Sequence, residues 1–153
     1  MSEAHSARKS EPASRFGLRT LLPAILLASM LGISAELLLL GHTEGNWQKL
    51  PLGLNGVGIL ALLAHLFMPG RGSLRAFRCA MLICVVGGGV GVYQHYAGNA
   101  EFELEMVAEL TGWPLIKEAM TGATPVLAPG ALAQVGLVGL AYAWGARAWR
   151  GRG

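Results

Sequence analysis

Four long apolar blocks, separated by short polar segments, organise the chain. The blocks lie near residues 18–40, 50–68, 76–97 and 126–149. Each holds about twenty residues, which is the length that an α-helix needs to cross a bilayer. We therefore expect an all-α integral membrane protein, with a bundle of four transmembrane helices in one domain, residues 18–149. Residues 1–17 are mostly polar, which predicts a disordered tail, and residues 150–153 form a short basic C-terminal tail.

We call the polar segment between the third and fourth blocks, residues 98–125, the cap. Glutamates and apolar residues alternate over "EFELEM", 101–106, and this pattern fits either a strand or an amphipathic helix. A lone strand would have nothing to pair with in a small bundle, so we expect a short helix lying on the surface. Gly112 and Pro114 should break it, and "WPLIKEAM", 113–120, predicts a second short helix with Trp113 at the level of the lipid headgroups.

Composition supports the membrane class. Hydrophobic residues make up 53% of the chain and charged residues 14%, whereas a soluble domain averages about 25% charged. The net charge of +3 does not indicate a nucleic-acid partner, because the basic residues are scattered in short flanks beside the apolar blocks. Cys79 and Cys84 are five residues apart in one block, on different faces of a helix, so we expect no disulfide between them.

The distribution of lysine and arginine predicts the orientation, since cytoplasmic flanks hold an excess of them. Ten of the twelve lie in or just after the N-terminal tail, at the turn near residues 69–78 or at the C-terminal end, and only Lys49 and Lys117 lie on the other side. We therefore expect a protein of the cell (inner) membrane, with both termini in the cytoplasm and the cap outside. Residues 15–35 also resemble a signal peptide, but their apolar run continues to Leu40, which favours an uncleaved first helix.

Polar residues inside the apolar blocks are the first candidate site. In the first block Ala24, Ala28, Gly32 and Glu36 recur every four residues, so they share one helix face, and small residues favour faces turned toward other helices. A similar row in the second block holds Asn55, and His65 at its far end is expected to be structural. The third block has such a row ending at His95, and the fourth has a less regular one with Gln134. The candidate pocket residues, all expected to face inward in the outer layer of the membrane, are Glu36, Asn55, His95 and Gln134.

Two interpretations of these residues stay open. Asn and Gln often join membrane helices by hydrogen bonds, whereas a carboxylate such as Glu36 is costly inside a membrane and is by default a candidate functional group, with His95 or Gln134 as its partner. A second candidate surface for a partner or a metal ion lies outside the blocks, at His42, Asn99, Glu101, Glu105 and Glu109. Their spacing is generic, with no HExxH, CxxC or EF-hand pattern, so the sequence requires no cofactor, and we do not expect haem.

The function predicted from these patterns is non-catalytic. No nucleophile has an evident histidine base with an orienting acid. We therefore expect an accessory or structural subunit of a larger membrane complex, which docks on other subunits or on itself through glycine-rich helix faces and the acidic cap, with the lipid bilayer as its other partner. The alternative is a cation- or proton-handling protein with an outer-leaflet site around Glu36 and His95.

Overall fold

The protein is all α-helical over residues 17–150, which are the residues that the computed structural model describes. Five helices lie within them: α1 (Leu18–Leu39), α2 (Asn46–Phe67), α3 (Arg71–Met106), α4 (Gly112–Met120) and α5 (Gly130–Arg150). The predicted all-α class is confirmed. The predicted disordered tail, apart from Gly17, and residues 151–153 lie outside the described residues.

Three helices are long and apolar enough to cross a membrane. They are Thr20–Leu39 within α1, all of α2 and all of α3. These three correspond to the first three predicted spans, so the prediction of transmembrane helices is confirmed for them. The apolar stretch described in α5, Gly130–Gly145, is shorter.

The second, third and fourth blocks begin at other residues than predicted. α3 begins at Arg71 rather than at residue 76. α2 begins at Asn46, four residues before Leu50, because the Gln48 side chain accepts hydrogen bonds from the backbone N–H groups of Glu44 (3.0 Å) and Gly45 (3.3 Å) and so caps the first turn. α5 begins at Gly130 rather than at residue 126. Residues 125–129 form a turn instead, in which the N–H of Ala128 donates to the carbonyl of Pro125 at 3.2 Å.

α3 departs most from the prediction. It is one continuous helix of 36 residues, about 54 Å long at 1.5 Å per residue, and it therefore extends well past a hydrocarbon core of about 30 Å. The separate surface helix predicted after residue 98 is wrong, as is the alternative strand. Gly98 alone does not stop the helix, because one glycine costs only about 1 kcal/mol and the following residues, "AEFELEM", are mostly good helix formers.

α1, α2, α3 and α5 share one apolar core. Its buried members include Leu26 and Met30 of α1, Leu62 of α2, Phe77, Met81 and Cys84 of α3, and Leu132, Val135 and Tyr142 of α5. Each of these helices packs on two of the others, in the order α1, α2, α3, α5 and back to α1, while α4 packs on α3. Cys79 is exposed and Cys84 is buried, and both are free thiols.

Glycines allow a close backbone contact between α3 and α5. A Cβ atom on Gly88 would lie 2.5 Å from the backbone nitrogen of Ala133, and one on Gly136 would lie 2.6 Å from the carbonyl oxygen of Met81. The two backbones therefore touch, as small residues allow in membrane bundles. Gly91 faces Pro129, and Gly139 faces Met81, so the two helices run antiparallel.

Candidate functional site

Asn55 is the fully buried member of the predicted pocket, and its inward orientation is confirmed. Its side-chain Nδ2 donates to the carbonyl oxygen of Met30 (2.6 Å) and to Oγ of Ser34 (2.8 Å), which joins α2 to α1. The acceptor atom of the same amide, Oδ1, is buried without a hydrogen-bond partner among the described residues. Since α2 begins at Asn46, Asn55 lies about 14 Å along it, near the middle of the helix.

Glu36 does not face the bundle, and the prediction that it does is wrong. Glu36 is exposed, as are the other members of its row, Ala24, Ala28 and Gly32. α1 instead packs through Leu26 and Met30, whose side chains are 1% and 0% exposed. Glu36 lies one turn before the end of α1 at Leu39, where a carboxylate can reach water or lipid headgroups, so burial is not needed to explain its presence.

His95 and Gln134 also differ from the predicted pocket. Nδ1 of His95 donates to the carbonyl oxygen of Pro125 at 3.0 Å, which ties α3 to the end of the cap. Gln134 is exposed on α5, beside Ser29 in a shallow, mostly apolar groove between α1 and α5. No hydrogen bond described for residues 17–150 joins any two of the four predicted pocket residues. Each of the four residues therefore lies in a different setting.

Asn99 has a role that its sequence position did not indicate. Predicted on the cap surface, it is 4% exposed instead. Nδ2 donates to the carbonyl oxygens of Ala119 (2.9 Å) and Thr124 (2.8 Å), and Oδ1 accepts from the backbone N–H (3.1 Å) and the hydroxyl (2.6 Å) of Thr124. Gly122 leaves room for it, since a Cβ there would lie 2.7 Å from Cγ of Asn99. Asn99 therefore holds α4 and the following turn against α3.

The remaining surface candidates are spread over separate elements. Glu101 and Glu105 are exposed one turn apart on the last turns of α3, while Glu109 is exposed in the loop after that helix. Glu109 therefore lies apart from the helix that carries the other two. His42 is half-buried in the loop between α1 and α2. Within residues 17–150, no three His, Cys, Asp or Glu side chains are grouped so that they could hold a metal ion.

A polar and aromatic cluster at the opposite end of the bundle was only partly predicted. His65 is 4% exposed, its ring stacks on Phe77 with centroids 6.0 Å apart, and Tyr142 meets it edge-on at 6.1 Å. Its Nδ1 lies 3.3 Å from Oγ of Ser73, which also accepts from the N–H of Gly70 and so caps the start of α3. The structural role predicted for His65 agrees with this packing. Ser73 is at N3, the position from which a capping-box side chain bonds the N–H of the N-cap residue, here Gly70; that spacing was the available sequence signal.

No family model matches the chain, and neither a curated protein nor a solved structure matches it. The class is therefore defined by the fold alone. Over residues 17–150 the chain is all-helical, with three helices of membrane-spanning length and composition, which is compatible with a multi-pass membrane protein.

Proposed function

We propose that this chain is a small non-catalytic protein of the inner membrane that crosses the bilayer four times and serves as an accessory or structural subunit of a larger membrane complex. α1, α2 and α3 supply three spans, and the 21 residues of α5 supply the fourth. A helix of that length rises about 32 Å, against a hydrocarbon core of about 30 Å.

The distribution of charge along the helices supports the proposed orientation. α1 and α3 begin, and α2 and α5 end, on the same side of an alternating bundle, and Arg71, Arg75 and Arg78 lie at the start of α3 on that side. The cap lies at the opposite end, with five glutamates and a single lysine. Because basic flanks stay in the cytoplasm, both termini would be cytoplasmic and the cap outside.

The exposed row on α1 is the observation that carries the docking proposal. Ala24, Ala28 and Gly32 lie open on one helix face, and a Cβ on Gly32 would meet nothing within 4 Å. By contrast, Gly88 and Gly136 are already used in the contact between α3 and α5. The α1 row is thus a small-residue face that is free for another membrane helix, and small residues allow close helix packing in lipid. Glu36, at the outer end of the same row, could meet a polar group of that helix.

The cap supplies the second part of the proposed docking surface. Glu101, Glu105 and Glu109 are exposed on different parts of it, and Lys117 is its only basic residue. Such an acidic surface favours a partner whose facing surface is basic, since complementary charge speeds encounter and disfavours wrong partners.

Association in mild detergent tests the α1 face. We expect Gly32→Leu to fill the row and to reduce recovery of the partner subunit when the tagged protein is purified. Gly89→Leu is the matched control, because Gly89 is also exposed within a helix and its Cβ would also meet nothing within 4 Å. Equal recovery of the partner with both variants, each folded as judged by thermal unfolding, would remove the α1 face from the proposal.

The ion-handling alternative has weaker support. It needs Glu36 and His95 to share a site, but Glu36 is exposed on α1 and Nδ1 of His95 is already bonded to Pro125. We therefore propose the docking function alone.

A further inference from the structure

One face of α4 is apolar and uncovered by the rest of the described chain. α4 packs on α3 through Ala119, which is fully buried, and half-buried Leu115. Trp113, Ile116 and Met120 are spaced three and four residues apart, so they share a neighbouring face, and their side chains are 74%, 40% and 42% exposed. We call these three residues the α4 face. In water they would leave a large apolar surface exposed, which is costly.

The charges around α4 are distributed as in a helix that lies at a membrane surface. Lys117, the only basic residue of the cap, follows Trp113 by four residues and so borders the α4 face. Glu118 is two residues from both Ile116 and Met120, a step of about 200° around the helix, and therefore points away from that face. A basic residue beside tryptophan and aliphatic side chains suits the boundary between acyl chains and phosphates.

The hydrogen bonds of Asn99 fix the level of α4 relative to the bundle. The third apolar block, which lies within α3, ends near Ala97, and Asn99 follows two residues later. Because Nδ2 of Asn99 donates to the carbonyl oxygen of Ala119, the end of α4 lies beside the point where α3 leaves its apolar stretch. Leu127, 68% exposed in the turn before α5, adds an apolar side chain to the same end of the bundle.

We infer that α4 is a membrane-surface anchor whose α4 face enters the outer leaflet at the headgroup boundary, with Lys117 beside the lipid phosphates. The inference rests on the proposed multi-pass arrangement. The lipid surface is what covers the α4 face, because Lys117, the single cation of the cap, borders this face while Glu118 lies away from it. The anchor would hold the acidic end of α3 at a constant height above the bilayer.

Tryptophan fluorescence in vesicles tests the anchor. The full chain, with Trp47, Trp144 and Trp149 each replaced by Phe, is reconstituted in phosphatidylcholine carrying bromine near the top of its acyl chains. We expect the emission of Trp113 to be shifted to shorter wavelength and to lose intensity, and to lose less when bromine is placed near the chain ends. Emission typical of tryptophan in water, without loss in brominated lipid, would overturn the inference.

A second single-tryptophan variant separates this failure from failure of the proposed function. It keeps Trp144, which is 79% exposed on α5, and replaces the other three tryptophans by Phe. If Trp144 is quenched while Trp113 is not, the membrane arrangement stands and the anchor is wrong. If neither is quenched, both proposals fail.

Lys117→Glu, made in the variant that keeps only Trp113, tests the charge beside the face. We expect weaker quenching of Trp113, most clearly when phosphatidylglycerol is mixed into the vesicles, because a carboxylate is repelled by anionic headgroups. Glu118→Gln is the control, since Glu118 lies away from the face. Unchanged quenching in Lys117→Glu would contradict the part of the inference that assigns Lys117 to the phosphates.

Discussion

Asn99 and Thr124 are joined by three hydrogen bonds across 25 residues of sequence. Oδ1 of Asn99 accepts from both the backbone N–H and the hydroxyl of Thr124, and Nδ2 donates to its carbonyl oxygen. A single side chain on α3 therefore supplies hydrogen-bond partners for the backbone N–H and carbonyl of Thr124, in the turn that leads into α5. The position of the cap depends on this pair, which makes it the first target for mutation.

Asn99→Leu should release the cap. Leucine can make none of the bonds to Ala119 and Thr124, and a buried group left without a partner, here the carbonyl of Ala119, costs about 1–3 kcal/mol. We expect the free energy of unfolding to fall by about 3 kcal/mol and the amides of residues 119–124 to exchange faster with deuterium. Thr124→Val, which removes only the hydroxyl bond, should cost about 1 kcal/mol. Unchanged exchange at residues 119–124 in Asn99→Leu would show that other contacts hold the cap.

Asn55→Leu should be much milder than Asn99→Leu. It removes the bonds to Met30 and Ser34, but interhelical hydrogen bonds in membrane proteins contribute only about 1 kcal/mol. It also removes Oδ1, a buried acceptor without a partner among the described residues, and this partly offsets the loss. We expect the thermal midpoint in detergent to change little. A loss as large as that of Asn99→Leu would mean that Asn55 does more than join α1 to α2.

Gly136→Ala should push α3 and α5 apart. The new Cβ would lie 2.6 Å from the carbonyl oxygen of Met81 and 2.9 Å from the backbone nitrogen of Val85, atoms that cannot move without shifting the helix. Overpacking of this kind costs about 1–3 kcal/mol, so the thermal midpoint should fall.

Gly89→Ala is the matched control for that substitution. Its Cβ meets nothing within 4 Å, and alanine is a better helix former than glycine by about 1 kcal/mol. We expect equal or higher stability than in the native chain. If both alanine variants lose the same stability, the close approach of α3 and α5 is not the cause.

Cysteine labelling from outside the cell tests the orientation. In a background with Cys79→Ser and Cys84→Ala, Glu105→Cys should react with a membrane-impermeant maleimide in intact cells, because the cap is proposed to lie outside. Ala76→Cys, exposed near the opposite end of α3, should react only after the membrane is opened. The reverse pattern would invert the proposed topology.

The apolar blocks predicted the helical class and the approximate bounds of the long helices. Their length and composition are local properties, and no neighbour was needed to infer them. The ends were less well predicted, because α2 was extended by the capping side chain of Gln48. α3 continued into the first part of the cap because nothing after Gly98 stops a helix before Val107.

The inward and outward orientation of each face depended on the tertiary structure. Four-residue spacing correctly placed Ala24, Ala28, Gly32 and Glu36 on one side of α1, but it could not say which side meets the other helices. Helical periodicity relates residues within one helix, whereas the rotation of that helix is set by what its neighbours bury, here Leu26 and Met30. For the same reason the sequence by itself determined that Asn99 is polar and follows the third apolar block by two residues. Only the tertiary structure, which brings Thr124 beside it from 25 residues away, decided that its side chain is buried and holds the cap.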